Sequence, residues 1–471
     1  MKKILTKILA AIMVFAGCFS CFIGCGPKEQ TTPPQQDPPS VDGPNEPSYE
    51  IKPVKFDPWT KDDFLIGSWV AFAIDNRNNL SMHEQVKRLS DSGINFIIHG
   101  GWIPDDGEPV EKDLASEAWW KHVDGIMKEN NILYGFSGSG YSGDKGDWNN
   151  TSDTVVKRAA KIVPQLENCM GVMVKDEPAI SLIDQTAEAA KKYAQQVEGV
   201  LPYVNLFPSY AGSAIGGTYK SYVEKWVTSV GAENIEYLSH DFYPWFQPGF
   251  RSNMYSDLEV MREVGLRYGV KTHAFPQACA WENMQMPNEN MLRWNVYLYL
   301  AYGFKALTYF NYYMWNGEGC WDGIFDLDGN LLHPELYCFL TGLNNDLHYM
   351  NDLLMNLDCL HAYHTSEEAG AEILPQDGLL GYGGEGSFIV SYMRAKDGSA
   401  PYLMLFNKDW KNPNEGASFT VNAESGITGL ELYDTETREY KDVLVENGKI
   451  LLDFQAGEGK YLRIKGNVTL A

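Results

Sequence analysis

Basic residues are scarce in this sequence. The 471 residues include 62 Asp and Glu but only 38 Lys and Arg, which leaves a formal net charge of −24. Proteins that bind nucleic acid or anionic membrane surfaces present clustered positive charge, and this chain offers no basic patch. The composition therefore argues against nucleic acid as a partner and favours a ligand without negative charge.

Paired cysteines and phosphate-binding loops are also missing. Five cysteines lie beyond the N-terminal segment, widely spaced and without a C-x-x-C pair: Cys169, Cys279, Cys320, Cys338 and Cys359. This spacing argues against a zinc site or a disulfide scaffold, and buried free thiols are expected instead. The Gly-rich stretch GSGYSGDKGDWNN lacks the G-x-x-x-x-G-K-[ST] pattern of a phosphate site. We therefore expect neither a metal nor another cofactor.

Long hydrophobic runs are absent except at the N-terminus, which reads MKKILTKILAAIMVFAGCFSCFIGCG. Three lysines precede an apolar stretch over residues 8–23, which is short for a transmembrane helix and typical of a signal peptide. The stretch contains Gly-Cys twice, at Cys18 and at Cys25.

These two Gly-Cys steps resemble the lipobox of bacterial lipoproteins, although Phe stands three residues before each Cys where Leu is usual. The resemblance implies a signal peptide over residues 1–25 and lipidation of Cys25, with Cys18 as the alternative. The protein would then be extracytoplasmic, on a bacterial cell surface, and would meet the membrane through its lipid anchor only. Residues 26–53 are Pro-rich, polar and aperiodic, which predicts an extended tether.

A repeating alternation of strand-like and helix-like segments follows the tether. Apolar runs predict eight strands, at residues 64–72, 94–101, 132–137, 170–175, 201–207, 235–242, 270–278 and 306–312. Stretches with apolar residues three and four apart separate them, and the runs are nearly continuous, as expected for parallel strands buried on both faces. This pattern predicts a (β/α)₈ TIM barrel over residues 54–356. The short alternating strands over residues 357–471 predict an antiparallel β-sandwich domain.

In such a barrel the functional groups gather at the C-terminal ends of the strands. Asp176 and Glu177 end the fourth predicted strand in "VMVKDEPAI", and Asp241 ends the sixth. His99 and His240 are interpreted as hydrogen-bonding residues at the rim rather than as zinc ligands. The remaining candidates are amides, aromatic residues and one further acid: Trp102, Asn205, Tyr243, Gln277, Trp281, Glu282 and Trp315. Acids, amides and aromatic rings together suit a neutral oligo- or polysaccharide.

The motif "KDEP" after strand 4, with "HDFYP" at strand 6 and an aromatic strand 8, resembles the (β/α)₈ glycoside hydrolases. In the large retaining clan the acid/base glutamate ends strand 4, which corresponds to Glu177. The nucleophile there ends strand 7, where this sequence has Gln277, with Glu282 five residues later. Families 20 and 123 carry an adjacent Asp-Glu pair at strand 4. That resemblance implies that Asp176 orients a substrate acetamido group and that Tyr243 assists.

Three partners for Glu177 therefore stay open: the acetamido group held by Asp176, the carboxylate of Asp241, and the carboxylate of Glu282. A neighbouring carboxylate raises the pKa of an acid, which keeps it protonated near neutral pH. The competing hypothesis is a surface lipoprotein that binds glycans on a TIM-barrel scaffold without cleaving them.

Overall fold

The computed structural model describes residues 56, 58–105, 110–138, 141–142, 147–148, 150–247, 249–315 and 319–470. The predicted signal peptide, the lipidation site at Cys25 or Cys18, and the tether lie outside these residues. Three of the five cysteines after the signal segment, Cys169, Cys279 and Cys359, are buried free thiols.

A closed barrel of parallel strands forms the first part of the described chain. Each strand pairs with the next one in sequence, and the eighth pairs with the first. The strands are β1 (Leu65–Ser68), β2 (Phe96–Ile97), β3 (Leu133–Phe136), β4 (Cys169–Asp176), β5 (Leu201–Leu206), β6 (Tyr237–Asp241), β7 (Lys271–Phe275) and β8 (Ala306–Tyr309). The predicted TIM barrel is confirmed.

The helices alternate with the strands and pack their apolar faces against them. They are α1 (Met82–Asp91), α2 (Glu117–Glu129), α3 (Asp153–Ile162), α4 (Ile183–Gln196), α5 (Tyr219–Val230), α6 (Met254–Tyr268), α7 (Glu289–Ala301), α8 (Pro334–Tyr349) and α9 (Asn351–Asn356). Side-chain caps fix several starts, and at α1 Ser81 and Glu84 form a complete capping box. None of the helices in the described ranges is long and apolar enough to cross a membrane.

All the barrel strands except β4 are shorter than the apolar runs that predicted them. The first run extends to Phe72, but β1 ends at Ser68. The Trp69 N–H still donates to the Tyr309 carbonyl at 2.9 Å, whereas the Val70 N–H donates to the side-chain oxygen of Asn311 at 3.1 Å. The Asn311 side chain thus replaces the β8 backbone as the hydrogen-bond partner. The chain leaves the barrel at this point, although the residues up to Phe72 are still apolar.

Alternation along the strands divides the barrel interior from its outer shell. Tyr203 and Tyr237 pack inside the barrel with Phe275 and Met173. Leu238 and Ala274, which neighbour Tyr237 and Phe275, belong to the cluster between the strands and the helices. A residue two positions after one of these inner aromatic residues lies on the same face of its strand. It therefore points into the mouth of the barrel, at the C-terminal end of the strand.

Antiparallel sheets follow the barrel. Their strands are β9 (Leu357–His364), β10 (Glu372–Ile373), β11 (Leu380–Tyr382), β12 (Phe388–Ala395), β13 (Tyr402–Asn407), β14 (Asn414–Val421), β15 (Ile427–Asp434), β16 (Glu439–Val443), β17 (Lys449–Phe454) and β18 (Gly459–Gly466). A seven-stranded sheet has the order β10-β9-β12-β13-β18-β15-β16, and a three-stranded sheet has the order β11-β14-β17.

The larger sheet is buried on both faces, which explains why β12 reads FIVSYMRA without polar alternation. Phe388 and Val390 pack in the cluster between the two sheets, whereas Ile389 and Met393 pack in the barrel cluster. At this junction the Trp294 indole N–H donates to the Lys408 carbonyl at 2.9 Å.

Gly457 closes the same junction. Its φ is +68°, and a Cβ there would lie 2.5 Å from the Trp294 Cβ, so only glycine fits both the conformation and the space. Barrel and sheets belong to one compact unit.

Candidate active site

A slip in strand pairing turns Asp176 into the barrel mouth. Met173 pairs with Tyr203 and Asp176 pairs with Asn205, so β4 carries one extra residue between them. Such a bulge reverses the alternation of side chains beyond it. Asp176 consequently faces inward like Asn205, whose side-chain amide donates to the Asp176 carboxylate at 3.3 Å. Without the bulge, regular alternation along the strand would place Asp176, three positions after Met173, on the opposite face.

Glu177 reaches the mouth through an unusual backbone conformation. Its φ is +42°, in the left-handed region that a residue with a side chain adopts at a cost. The Glu177 N–H donates to the Asn205 carbonyl at 2.9 Å, and the Tyr222 hydroxyl donates to the carbonyl of Pro178 at 2.7 Å. Both bonds hold the turn, so the bulge and the Glu177 backbone together bring the adjacent acids to one place.

Asp241 approaches from β6 and lies above a polar floor. Its side chain is 7% exposed and lies beside the side chains of Asn205 and Tyr243. Below it, the Ser239 hydroxyl lies 3.1 Å from the Asn205 side-chain oxygen and 2.7 Å from His273 Nδ1. An ionised carboxylate only accepts hydrogen bonds, so the contact with Asp176 places the Asn205 amide nitrogen towards the acids and its oxygen towards Ser239.

The carboxyl groups of Glu177 and Asp241 are buried within hydrogen-bonding reach of each other. Burial, the charges of Asp241 and Asp176, and the hydrogen bond to Asp241 raise the pKa of Glu177 well above its usual range. Burial also raises the pKa of Asp241, to about 6, although hydrogen bonds from Asn205 and Tyr243 oppose the rise. Two carboxyl groups share a hydrogen bond only when one of them is protonated. The pKa directions assign that proton to Glu177 and leave Asp241 ionised at neutral pH.

An aromatic wall, formed by Tyr243, Trp281, Phe310 and Trp315, borders the acids. The ring centroids of Tyr243 and Trp281 are 4.7 Å apart at an interplanar angle of 89°. Phe310 lies 4.9 Å from Trp281 and 5.2 Å from Trp315. Trp281 and Trp315 are half-buried, so their rings combine a fixed position with a surface that a ligand can touch.

Two residues of the site were missed by the sequence analysis. Arg251 lies 4.4 Å from the ring centroid of Tyr210 and 4.6 Å from that of Phe246, and it donates to the Tyr243 carbonyl at 2.8 Å. The ring of Tyr210 also packs edge-on against Phe242, the residue after Asp241, with 5.1 Å between the ring centroids. Tyr210 directly follows Ser209 near the end of β5, which is a usable signal. Arg251 follows a small ladder over residues 245–250, where no strand-end rule applies.

Other predicted residues lie outside the acidic group. Gln277 is fully buried, and its amide donates to the Gln285 carbonyl at 2.8 Å, so it supports the loop after β7. Glu282 is exposed on that loop. Trp102 is half-buried in the short turn Gly100–Trp102 after β2.

The two histidines are not at the rim, where the sequence analysis placed them. His240 is fully buried on the outer face of β6, 2.9 Å from the Tyr219 hydroxyl, because alternation sends it away from Asp241. His99 is also buried, against the Trp69 ring at 4.1 Å. Burial lowers the pKa of each histidine to about 3, so both are neutral. Within the described ranges, no group of three or more His, Cys, Asp and Glu side chains has the arrangement of a metal site.

Two solved structures that share this architecture are β-galactosidases. The enzyme from Bacillus circulans sp. alkalophilus superposes with a TM-score of 0.55 at 9% identity, covering 86% of this chain and 99% of that one. A catalytic mutant of a GH42 β-galactosidase from G. stearothermophilus gives a TM-score of 0.53 at 9% identity, covering 89% and 100%. No protein-family model and no curated protein matches the sequence. At this identity the likeness establishes the fold: a (β/α)₈ barrel followed by antiparallel sheets.

Proposed function

We propose that the protein is a glycoside hydrolase that cleaves a neutral or N-acetylated glycan, with Glu177 as the general acid. The observation that carries the proposal is the convergence of Glu177, Asp176 and Asp241 at the barrel mouth, where burial and charge hold the proton on Glu177. The aromatic wall beside the pair suits the apolar face of a sugar ring. The architecture shared with β-galactosidases supports the same class of reaction.

Cleavage of a glycosidic bond needs a proton for the leaving oxygen and a negative group near the carbon that becomes positively charged. Protonated Glu177 would transfer its proton to the glycosidic oxygen as the bond to the anomeric carbon breaks. Ionised Asp241 would stabilise the positive charge that develops on the ring. A water molecule would then add its oxygen to the anomeric carbon and give its proton to the Glu177 carboxylate, which restores the acid. Asp241 is buried between Asn205 and Tyr243, so the negative charge is positioned before the substrate binds.

Among the three partners left open by the sequence, Asp241 is favoured by contact. It lies within hydrogen-bonding reach of Glu177, whereas Glu282 is an exposed residue of the loop after β7. Asp176 also faces inward, and its charge contributes to the raised pKa values of Glu177 and Tyr243. That proximity supports a role for Asp176 and Tyr243 in orienting an acetamido group when the substrate carries one.

The experiment is a hydrolysis screen of the purified protein on aryl glycosides of neutral hexoses, pentoses and N-acetylhexosamines. We expect at least one glycoside to be cleaved, and we expect Glu177→Gln to abolish most of that cleavage while Glu282→Gln has little effect. Loss with Asp176→Asn on N-acetylhexosaminides only would identify acetamido participation. Equal activity of the wild-type protein and Glu177→Gln, or no hydrolysis of any glycoside, would contradict the proposal and favour a glycan-binding protein.

We also propose that lipidation of Cys25 anchors the enzyme to a bacterial cell surface. The support is the sequence pattern around Cys25, followed by a Pro-rich segment. Cells expressing the full chain with labelled palmitate should yield a labelled protein, and Cys25→Ser should remove the label. Label that persists in Cys25→Ser and disappears in Cys18→Ser would assign the anchor to Cys18 instead.

A further inference from the structure

A large aromatic side chain is exposed at the mouth of the barrel. Trp321 has 54% of its surface exposed, although burying a side chain of this size is strongly favourable. It follows β8, at the same end of the barrel as the acids.

The local backbone presents this ring outward. Residues Cys279–Trp281 and Cys320–Gly323 form a small antiparallel ladder in which Trp281 pairs with Cys320 and Ala280 pairs with Asp322. Trp321 is therefore the unpaired residue of a β-bulge, a device that re-aims a side chain and often occurs beside active sites.

Hydrogen bonds fix the bulge. The Glu282 N–H donates to the Gly319 carbonyl at 2.7 Å, which continues the ladder past Trp281. The Trp321 indole N–H lies 3.4 Å from the Glu282 carbonyl, so the polar edge of the ring is satisfied within the protein. What remains available is the apolar face, held in a defined orientation rather than free to fold back onto the surface.

The ladder also connects Trp321 to the aromatic wall. The ring of Trp281, which pairs with the residue preceding Trp321, lies 4.7 Å from that of Tyr243, and Tyr243 lies beside Asp241. Paired residues of an antiparallel ladder lie about 5 Å apart at their Cα atoms, so Trp321 is one residue away from the backbone neighbour of Trp281. A ligand seated on the acids and on Trp281 would reach Trp321 with its next segment.

We propose that Trp321 is a stacking platform for a further sugar ring of the same glycan, one position outward from the ring at the acid pair. The ring would be neutral and would place its apolar C–H face on the indole, because the indole N–H is already bonded and no charge is required for the contact. The identity of the ligand rests on the proposed function, whereas the binding contribution of Trp321 is measurable without hydrolysis.

The test measures binding by calorimetry in full-length protein carrying Glu177→Gln, which prevents turnover. The probes are cello-, manno-, xylo-, galacto- and chito-oligosaccharides from one to six units. We expect affinity to rise with chain length in at least one series. Trp321→Ala should weaken the binding of the longer oligosaccharides of that series by about tenfold, equivalent to about 1.4 kcal/mol. Trp321→Phe should retain most of the affinity, and Leu451→Ala, which truncates another exposed side chain in the C-terminal sheets, serves as the matched control.

Three results would contradict the proposal that Trp321 is a stacking platform. They are no binding in any series, equal affinity of Trp321→Ala and its parent at every chain length, or an equal loss of affinity for one sugar unit and for six. Because hydrolysis is assayed separately, the two proposals fail independently. Length-dependent binding that needs Trp321, without cleavage by the wild-type protein, would sustain the platform and refute the hydrolase. Cleavage by the wild-type protein, together with length-dependent binding that Trp321→Ala leaves unchanged, would support the hydrolase and refute the platform.

Discussion

Carboxylates at the barrel mouth and carboxylates on the C-terminal sheets have opposite electrostatic surroundings. On the sheets, Glu431 lies 2.6 Å from Arg463 and 2.9 Å from Lys465, and its pKa is lowered by hydrogen bonds from both. The pKa of Asp434 is likewise lowered, chiefly by a hydrogen bond from Lys441. At the mouth, burial and neighbouring acids raise the pKa of Glu177.

The difference shows what separates a candidate catalytic acid from an ordinary one in this acidic protein. A lysine or arginine neutralises each of the sheet acids and keeps it ionised, which serves solubility and local structure. The mouth acids are grouped with one another, a costly arrangement that leaves a proton on one of them. Perturbed acids of this kind concentrate at functional sites.

The largest expected effect is on catalysis at Glu177. Glu177→Gln keeps the size of the side chain and a hydrogen-bond donor to Asp241 but has no proton to transfer. General acid catalysis contributes 10²–10⁴-fold, so kcat on substrates with poor leaving groups should fall by about 10²–10⁴-fold. Substrates with activated phenol leaving groups should lose much less. A uniform loss on both types would show that the variant damages binding rather than proton transfer.

The next effect is a shift of the pH profile in Asp241→Asn. In the wild-type protein activity should fall below about pH 6, where Asp241 becomes protonated, and again at high pH, where Glu177 loses its proton. Removing the negative charge of Asp241 lowers the pKa of Glu177. The alkaline limb of kcat/KM should therefore move down by about one pH unit or more, and the acid limb near pH 6 should disappear. An unchanged profile would mean that the two carboxyls are not coupled.

A smaller effect is expected on stability, with opposite signs in the two regions. In the unfolded chain Glu177 ionises near its usual pKa, whereas the folded protein keeps the proton to higher pH. The folded state thus binds more protons, and the free energy of unfolding falls as pH rises through that interval. At pH 8 Glu177→Gln should raise Tm by about 2 °C, with no gain at pH 4. Glu431→Gln should lower Tm slightly or leave it unchanged, since ion pairs at the protein surface stabilise little. A lower Tm for Glu177→Gln at pH 8 would contradict this reasoning.

The smallest effect on catalysis is expected when an acid of the C-terminal sheets is replaced. Asp434 accepts its hydrogen bonds from neighbours in the same sheet, Lys441 and Thr437. Asp434→Asn should leave kcat and KM of the hydrolysis reaction within about twofold of wild type, because surface changes away from a site are energetically minor. A hundredfold loss of kcat would show that the sheets contribute to the reaction.

The fold was predictable because apolar periodicity and strand-helix alternation are repeated over most of the chain. Glu177 and Asp241 were also predictable, because each directly ends a recognisable strand. The bulge in β4, the left-handed conformation of Glu177 and the position of Arg251 were not, since they depend on pairing with β5 and on an irregular loop. The prediction for His240 was wrong because it used only the position of the residue at the end of β6 and not the face of the strand on which its side chain lies.

The central claim, that Glu177 holds a proton that the paired sheet acids do not, is tested most directly by infrared difference spectroscopy. The carbonyl stretch of a protonated carboxylic acid is distinct from the bands of a carboxylate. The wild-type protein at pH 7 should show this stretch, and the difference spectrum against Glu177→Gln should assign it to Glu177. Asp241→Asn should weaken it at pH 8, whereas Glu431→Gln should leave it unchanged. A spectrum of wild-type protein at pH 7 without a protonated band that disappears in Glu177→Gln would contradict the account.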